Sequence, residues 1–412
     1  MVIKFYLQKN GDQTLVKILK ILFLIYTIIF LTGCSFVASR IIPVKKMEPP
    51  SGKFNVGTQI FHWTDESRDE WFSDDPTDKR ELMVQVWYPS KLTSSQIDPW
   101  LDNARDRTSE LVEFYKVPKF VAKAVDRVNS HSYYGAKPID EQIFPIIIYS
   151  HGFQGFRSLN TIQIQELASN GYIVFAVDHT YDALSTFFPD GRKVLTAEKY
   201  CYGCEEDDFY KVFRPQIETR VDDIIFILNQ IDSIKNKKIN SNFYSTLDTD
   251  NIGIFGHSFG GGTSLAATII DPRIKSCISL DGWYVPIHPD IYNQGLSKPF
   301  LHIGRPKWDY NDNINYKILD QILELRKDEA YKLSIEGSHH YDYTDVPHLS
   351  SLTSIFRLSS DLNSTNVLDI TNTTVLGFFD EHLKSNTSNW KNDLSKKLDT
   401  TIKEFQNEKY NE

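Results

Sequence analysis

Positive charge, cysteine and long hydrophobic runs are all scarce in this chain. Its 45 Lys and Arg residues are outnumbered by 54 Asp and Glu, which gives a formal net charge of −9 over 412 residues. This balance excludes a protein that binds nucleic acid through its overall charge. With 41% hydrophobic and 24% charged residues, the chain is not disordered, collagen-like or a polytopic membrane protein. The composition is that of a globular core.

A long uncharged apolar stretch lies near the N-terminus. Lysines precede it, Ile21 to Leu31 is apolar, and an LTGC motif ends at Cys34, an order typical of a bacterial lipoprotein signal peptide. We expect residues 1–33 to be removed, Cys34 to be diacylated and residues 34–55 to form a tether. The alternative is a transmembrane anchor, since Ile21 to Ser39 spans 19 residues without charge. Both predictions place an exported domain at the surface of a bacterial membrane.

The remaining three cysteines leave their chemistry open. Cys201 and Cys204 form a C-x-x-C pair, which in an exported protein is a short-loop disulfide, two free thiols or part of a metal or redox site. One such pair is weak evidence for zinc, because a structural zinc site needs four ligands. Cys277 lies in an apolar run and is expected to be buried. We predict no cofactor and no metal.

Apolar runs of strand length alternate with helical patterns along the chain. The runs suit strands that are covered on both faces, as in a parallel sheet. They are Leu82–Tyr88, Phe144–Ser150, Tyr172–Asp178, Asn251–Phe255, Ile274–Leu280 and Pro299–Ile303. Helical patterns cover Thr161–Ser169, Phe213–Ile234, the segment after Ser258, Ile314–Arg326 and Thr374–Leu383. This alternation predicts an α/β domain over residues 56–385, with a mostly parallel central sheet flanked by helices. The polar residues 386–412 are expected to form a helix or tail.

A G-x-S-x-G pentapeptide, GHSFG, follows the strand run NIGIF and opens an apolar, glycine-rich helix. This is the context of a nucleophile elbow in the α/β-hydrolase fold, where the serine occupies a tight and strained turn. Gly256 and Gly260 would leave room for the neighbouring chain and for substrate. We therefore predict that Ser258 is the catalytic nucleophile; the alternative is a structural turn serine.

A serine hydroxyl needs a base, and in this fold the acid and then the histidine follow the serine along the chain. A late loop carries two adjacent candidates for the base, His339 and His340. The acid has candidates after two successive strands, Asp281 after the first and Asp309 or Asp312 after the second. Spacing alone leaves both choices open.

The oxyanion that forms during acyl transfer needs two backbone N–H donors. One is expected from Phe259, the residue after the nucleophile. The other is expected from the His151–Gly155 loop after the run FPIIIYS, where we predict the N–H of Phe153. An ordinary glycine turn is the alternative for this loop.

Five segments in this order resemble the plasma-type (isoform II) platelet-activating-factor acetylhydrolases and their bacterial relatives: YSHGFQGFR, ELASNGYIVFAVDHTYD, GHSFGG, SLDGW and GSHHYDYTD. The resemblance spans roughly residues 81–380. Its L-D-x-W segment implies that Asp281 is the acid, and its G-S-x-H segment implies that His340 is the base. It also implies that Phe153 and Phe259 are the oxyanion donors.

The same resemblance implies a serine esterase that cleaves the sn-2 ester of phospholipids with short or oxidised acyl chains, without calcium. The alternatives are a generic short-chain carboxylesterase, a dienelactone- or polyester-type hydrolase, a serine peptidase, and a surface binding lipoprotein on an inactive scaffold. The expected partners are the ester substrate and, through Cys34, a membrane. The helix-like segment Pro99 to Val128 could cap the site, touch a membrane interface or pack on the core.

Overall fold

A computed structural model describes most of the chain between Val44 and Phe405. The described residues are 44–197, 206–239, 241–307, 314–350, 353–356, 358–360, 364–386, 389–394 and 400–405. The predicted signal segment, Cys34, the C-x-x-C pair, Asp309 and Asp312 lie outside them. Among the helices of the described part, none is both long enough and apolar enough to cross a membrane.

Strands and helices alternate along the described chain. The strands are β1 (Asn55–Asp69), β2 (Lys79–Ser90), β3 (Ile97–Pro99), β4 (Asn129–Tyr134), β5 (Phe144–Ser150), β6 (Ile173–Asp178), β7 (Ser185–Phe187), β8 (Lys193–Leu195), β9 (Leu247–His257), β10 (Ile274–Leu280), β11 (Phe300–Gly304), β12 (Ala330–Ile335) and β13 (Thr400–Phe405). The helices are α1 (Thr108–Tyr115), α2 (Lys119–Ala124), α3 (Thr161–Ser169), α4 (Glu206–Lys235), α5 (Phe259–Ile270), α6 (Pro289–Tyr292), α7 (Ile314–Glu324), α8 (Val346–Leu349), α9 (Ser364–Leu383) and α10 (Trp390–Leu394).

Eleven of the described strands form one sheet, in the order β13-β12-β11-β10-β9-β5-β6-β2-β1-β4-β3. The six neighbours from β12 to β6 run parallel, whereas β13 and β2 pair antiparallel with the two ends of this block. The mostly parallel central sheet predicted from the apolar runs is confirmed. The carboxyl ends of the parallel strands therefore meet at one edge, where sites form in such sheets.

The central strands are buried on both faces because their side chains alternate between two cores. In β5, Ile146 and Ile148 lie in one core cluster, and Ile147 and Tyr149 lie in the other. The first cluster includes apolar side chains of α4, α5 and α7, and the second includes those of α3 and α9. Because neither face of these strands meets water, their sequences are apolar at consecutive positions instead of alternating with polar residues.

The C-terminal residues differ from the polar helix or tail predicted over 386–412. Trp390 and Leu394 of α10 are buried in the second core cluster, and β13 pairs with the whole of β12 at the edge of the sheet. Four of the six residues of β13 are polar. An edge strand tolerates this because it has a neighbouring strand on one side only, so many of its side chains stay in contact with water. The domain therefore extends beyond residue 385.

The described part of the predicted tether also packs on the domain. Val44 forms an antiparallel bridge with Ser350, and the side chain of Met47 is 2% exposed. The backbone N–H of Ser51 donates to Glu166 of α3 at 2.8 Å. Residues 44–54 are thus held against the fold by specific contacts, although their proline-rich sequence is typical of a linker.

The segment from Pro99 to Val128 packs on the core. It forms α1, α2 and a short 3₁₀ turn, and none of its apolar side chains from Leu111 to Val121 is exposed. They join a third cluster with Trp100 and residues around α3 and α8, which encloses an apolar cavity of about 70 Å³. Cys277 is buried as predicted, and its thiol is free.

Trp390 tests whether the C-terminal residues belong to the core. Its ring centroid lies 5.3 Å from that of Tyr331, and its Nε1–H donates to Glu381 at 2.7 Å. We expect Trp390→Ala to lower the free energy of unfolding by about 3–5 kcal/mol, because it removes a large buried ring.

The measurement is urea unfolding followed by circular dichroism. Trp71→Ala is the matched control, since Trp71 is 39% exposed and its loss should cost less than about 1 kcal/mol. Equal losses in the two variants would contradict a buried role for Trp390.

Candidate active site

Ser258 lies on a strained turn between β9 and α5. Its backbone has φ 56° and ψ −119°, a region that residues with a Cβ atom rarely adopt. Its N–H donates to the carbonyl of Leu280, and its own carbonyl accepts the N–H of Trp283 at 2.8 Å. A Cβ on Gly260 would lie 1.9 Å from the carbonyl oxygen of Ser150. The turn expected for a nucleophile elbow is present, and Gly260 is required by this close approach.

Asp281 and His340 meet beside this turn. Asp281 follows β10 and is fully buried, and its Oδ2 lies 2.5 Å from Nδ1 of His340. Arg305, which follows β11, donates to Asp281 through its backbone N–H at 3.1 Å and its Nε–H at 2.7 Å. Burial opposes ionisation, but His340 and Arg305 together hold the pKa of Asp281 well below its usual range. The resulting carboxylate accepts the Nδ1–H of His340 and leaves Nε2 able to accept a proton.

The contact with Asp281 distinguishes the two candidate histidines. His340 opens a short 3₁₀ turn over His340–Tyr343, and its side chain is 26% exposed, so substrate can reach it. The backbone N–H of His339 instead donates to Asp342 at 2.7 Å, which fixes the start of that turn. The pairing implied by the family resemblance, Asp281 with His340, is therefore the one that the structure brings together.

His257, the residue before Ser258, also supports His340. The two rings lie 4.5 Å apart between centroids, and Nε2 of His257 lies 2.9 Å from the carbonyl oxygen of His340. Burial, and then the neighbouring His340, lower the pKa of His257 to about 3. His257 is therefore neutral near pH 7, and its Nε2–H donates to the backbone of His340. Sequence reasoning assigned no role to His257 or to Arg305, because both contact residues that are distant in the sequence.

The two segments that carry the predicted oxyanion donors both adjoin Ser258. Phe259 is the first residue of α5, so its N–H has no acceptor within the helix. A Cβ on Gly152 would lie 3.2 Å from Cβ of Ser258, so the His151–Gly155 loop is packed against the serine. Phe153 lies in this loop, one residue after that contact. Both segments thus lie next to Ser258, as the prediction requires.

Four aromatic rings form a wall next to these segments. Phe213 of α4 lies at its centre, with its ring centroid 6.0 Å from Phe153, 6.3 Å from Phe259 and 5.1 Å from Trp283. Phe213 and Phe259 are buried, whereas Phe153 and Trp283 are partly exposed. The wall is an apolar surface next to the segments that adjoin Ser258.

Within the described residues, Glu329, Glu381 and His382 are close enough together to hold a metal ion. They lie near the amino end of β12, at the opposite end of that strand from the loop that carries His340. Lys391 is already 3.5 Å from Glu381 and 3.8 Å from Glu329. The ammonium group balances these carboxylates, and the cluster lies away from Ser258.

The two adjacent histidines allow a matched test of the site. We expect His340→Gln to lower kcat by roughly 10⁴- to 10⁶-fold, because the proton of the serine then has no acceptor. His339→Gln should leave kcat close to that of the unmodified chain, because His339 contributes its backbone to the turn. Initial rates on p-nitrophenyl acetate measure both, and a loss confined to His339→Gln would contradict the pairing of His340 with Asp281.

Comparisons with known proteins identify a family and a fold. The family model described as platelet-activating factor acetylhydrolase, isoform II, matches residues 41–402. The platelet-activating factor acetylhydrolase of Gallus gallus is 26% identical over 340 residues, which cover 76% of each chain. A probable 1-alkyl-2-acetylglycerophosphocholine esterase of Arthroderma benhamiae is 24% identical over 343 residues, covering 76% of this chain and 81% of the relative.

A solved structure, a ferulic acid esterase from Streptomyces cinnamoneus, superimposes with a TM-score of 0.70. It is 24% identical and covers 87% of this chain and 99% of its own. At this identity the likeness concerns the fold, and it confirms the predicted α/β-hydrolase class. Because the family model spans nearly the whole described chain, this protein is an esterase that belongs to the platelet-activating factor acetylhydrolase isoform II family.

Proposed function

We propose that the chain hydrolyses the sn-2 ester of phospholipids with short or oxidised acyl chains, and that Ser258, His340 and Asp281 perform the reaction. The observation that carries the proposal is the Asp281–His340 pair, 2.5 Å apart, beside the strained turn at Ser258. By their descriptions, two of the relatives act on platelet-activating factor and on 1-alkyl-2-acetylglycerophosphocholine.

In the proposed mechanism, Oγ of Ser258 attacks the sn-2 carbonyl carbon while Nε2 of His340 takes the hydroxyl proton. Asp281 stabilises the imidazolium that results. The negative charge on the carbonyl oxygen is bound by the N–H groups of Phe153 and Phe259. The ester bond then breaks, and the lysophospholipid leaves with the proton from His340. Water, activated by His340, hydrolyses the acyl-serine and restores the enzyme.

This arrangement supports a calcium-independent reaction. The proposed oxyanion donors are backbone N–H groups, so the mechanism needs no cation to polarise the carbonyl. The aromatic wall around Phe213 gives the acyl group an apolar surface, which suits an uncharged acyl chain better than a charged one.

The proposed lipid anchor at Cys34 would bring the enzyme to its substrate. The described chain begins at Val44, ten residues after Cys34. Val44 forms a β-bridge with Ser350. Ten extended residues reach about 35 Å at most. A diacylated Cys34 would therefore keep the domain within a short distance of the bilayer, on the cell surface or the periplasmic face.

Hydrolysis of 1-alkyl-2-acetyl-sn-glycero-3-phosphocholine tests the substrate. We expect the full chain in detergent to release acetate at the same rate with and without EGTA, and Ser258→Ala to release none, because it lacks the nucleophile. Acetate is measured by a coupled enzymatic assay. Cleavage of p-nitrophenyl acetate without cleavage of this phospholipid would instead support the second candidate, a generic short-chain carboxylesterase.

Replacement of Cys34 tests the anchor. Cys34→Ser should abolish labelling by radioactive palmitate and prevent removal of residues 1–33, because a thiol is needed to carry the lipid and the cleavage takes place at the lipidated residue. Its kcat on p-nitrophenyl acetate should not change. An unmodified chain that takes up no palmitate and keeps residues 1–33 would favour the transmembrane anchor over the lipid.

A further inference from the structure

The carbonyl of Gly152 is held by two donors. Nδ1 of His151 lies 2.6 Å from this oxygen, and the N–H of Gly155 donates to it at 2.9 Å. A peptide unit is planar, and its C=O and N–H point in opposite directions. The N–H of Phe153 belongs to the same unit as the carbonyl of Gly152. The two donors on that carbonyl therefore set the direction of the Phe153 N–H, the proposed oxyanion donor.

The ring of His151 is itself fixed at both nitrogens. The backbone N–H of His179 donates to Nε2 of His151 at 3.1 Å, so the ring proton is on Nδ1 and faces Gly152. Burial, and then the charge of Arg220, hold the pKa of His151 well below its ordinary value. A neutral ring has one N–H to donate, and it is directed at the carbonyl of Gly152.

A buried network of four side chains lies beneath this loop: Ser150, His179, Arg220 and Asp223. Nη2 of Arg220 donates to the carbonyl of His151 and, at 3.2 Å, to Oγ of Ser150. Nε2 of His179 lies 3.0 Å from Oγ of Ser150, and its Nδ1 lies 2.8 Å from Asp223. None of the four side chains is more than 1% exposed. Serine, histidine and aspartate are thus aligned a second time, where no substrate can reach them.

Arg220 also acts on the far side of the loop. Its Nη1 lies 3.1 Å from the carboxylate of Asp182, and the backbone carbonyl of Asp182 accepts the N–H of Gln154 at 3.1 Å. Gln154 has φ 52°, so the loop holds a disfavoured conformation that these contacts must maintain. Two paths from Arg220 therefore converge on the residues that flank Phe153.

We propose that His151 is a positioning residue for the oxyanion hole, and that the buried network of Ser150, His179, Arg220 and Asp223 holds the loop in its working conformation. The inference rests on the proposed role of the Phe153 N–H. A network that stabilised only the fold would affect unfolding, whereas this one acts on the step in which the oxyanion forms.

Two substitutions of His151 separate these roles. His151→Asn keeps an N–H near the position of Nδ1, whereas His151→Leu removes it. We expect His151→Leu to lower kcat by ~10²–10³-fold with little change in KM, because loss of one oxyanion donor has this effect. His151→Asn should recover most of that loss. His348→Leu is the control, since His348 is also a buried histidine but lies in α8, where its backbone N–H donates to Asp345 at 2.8 Å.

Inhibition by an alkyl trifluoromethyl ketone is the second readout. Ser258 adds to its carbonyl to give a tetrahedral adduct that carries the same oxyanion. The inhibition constant should therefore rise in His151→Leu by about the factor by which kcat falls. Thermal unfolding of each variant shows whether a loss of activity comes from a loss of fold.

Ser150→Ala keeps the test valid if His151→Leu fails to fold. It removes one hydroxyl that joins His179 to Arg220, and we expect kcat to fall by about tenfold, with a parallel rise in the inhibition constant. Unchanged kcat in His151→Leu or in Ser150→Ala would overturn the inference, as would a fall in kcat without a change in the inhibition constant. If the unmodified chain neither cleaves esters nor binds the ketone, the proposed function fails, and the inference fails with it.

Discussion

The close approach of α5 to the end of β5 is the constraint on which the site depends. The backbone at Gly260 lies so near the carbonyl of Ser150 that no side chain fits between them. This contact forces the tight turn at Ser258 and also presses the helix N-terminus against the loop that follows β5. Backbone packing alone therefore brings Ser258, the proposed nucleophile, next to the two segments that carry the proposed oxyanion donors.

Buried charges then fix the groups around this turn. Arg305 and Asp281 form one pair, and Arg80, Arg220, Asp182 and Asp223 form a larger set in which Arg80 lies 2.6 Å from Asp223. Removing such groups from water is costly, and the cost is offset only when every charge has a partner in good geometry. These side chains are therefore held in one conformation, because a buried charge that moved would lose its partner. Both sets hold residues next to Ser258, where a precise geometry matters for catalysis.

Local motifs predicted much of the site because their contacts are local. The turn at Ser258 and the His151–Gly155 loop follow from strand, glycine and helix patterns within a few residues. The choice of His340 over His339 did not follow from spacing, because it depends on a contact with Asp281 across 59 positions; it came from the family resemblance. His257, Arg305 and the buried network were missed for the same reason. β13 was missed because an edge strand buries few side chains and therefore has a polar sequence.

The bridge between Val44 and Ser350 has a consequence for orientation. Ser350 follows α8, which is joined by a few residues to the turn that carries His340, so the described chain begins on the side of the domain where His340 lies. A lipid anchor attached to the chain before Val44 would restrict the rotation of the enzyme, so that this side of the domain would face the bilayer. The enzyme would then meet lipid substrates in the plane of the membrane. The effective concentration would be set by the length of the segment between Cys34 and Val44 and not by the concentration of the enzyme in solution.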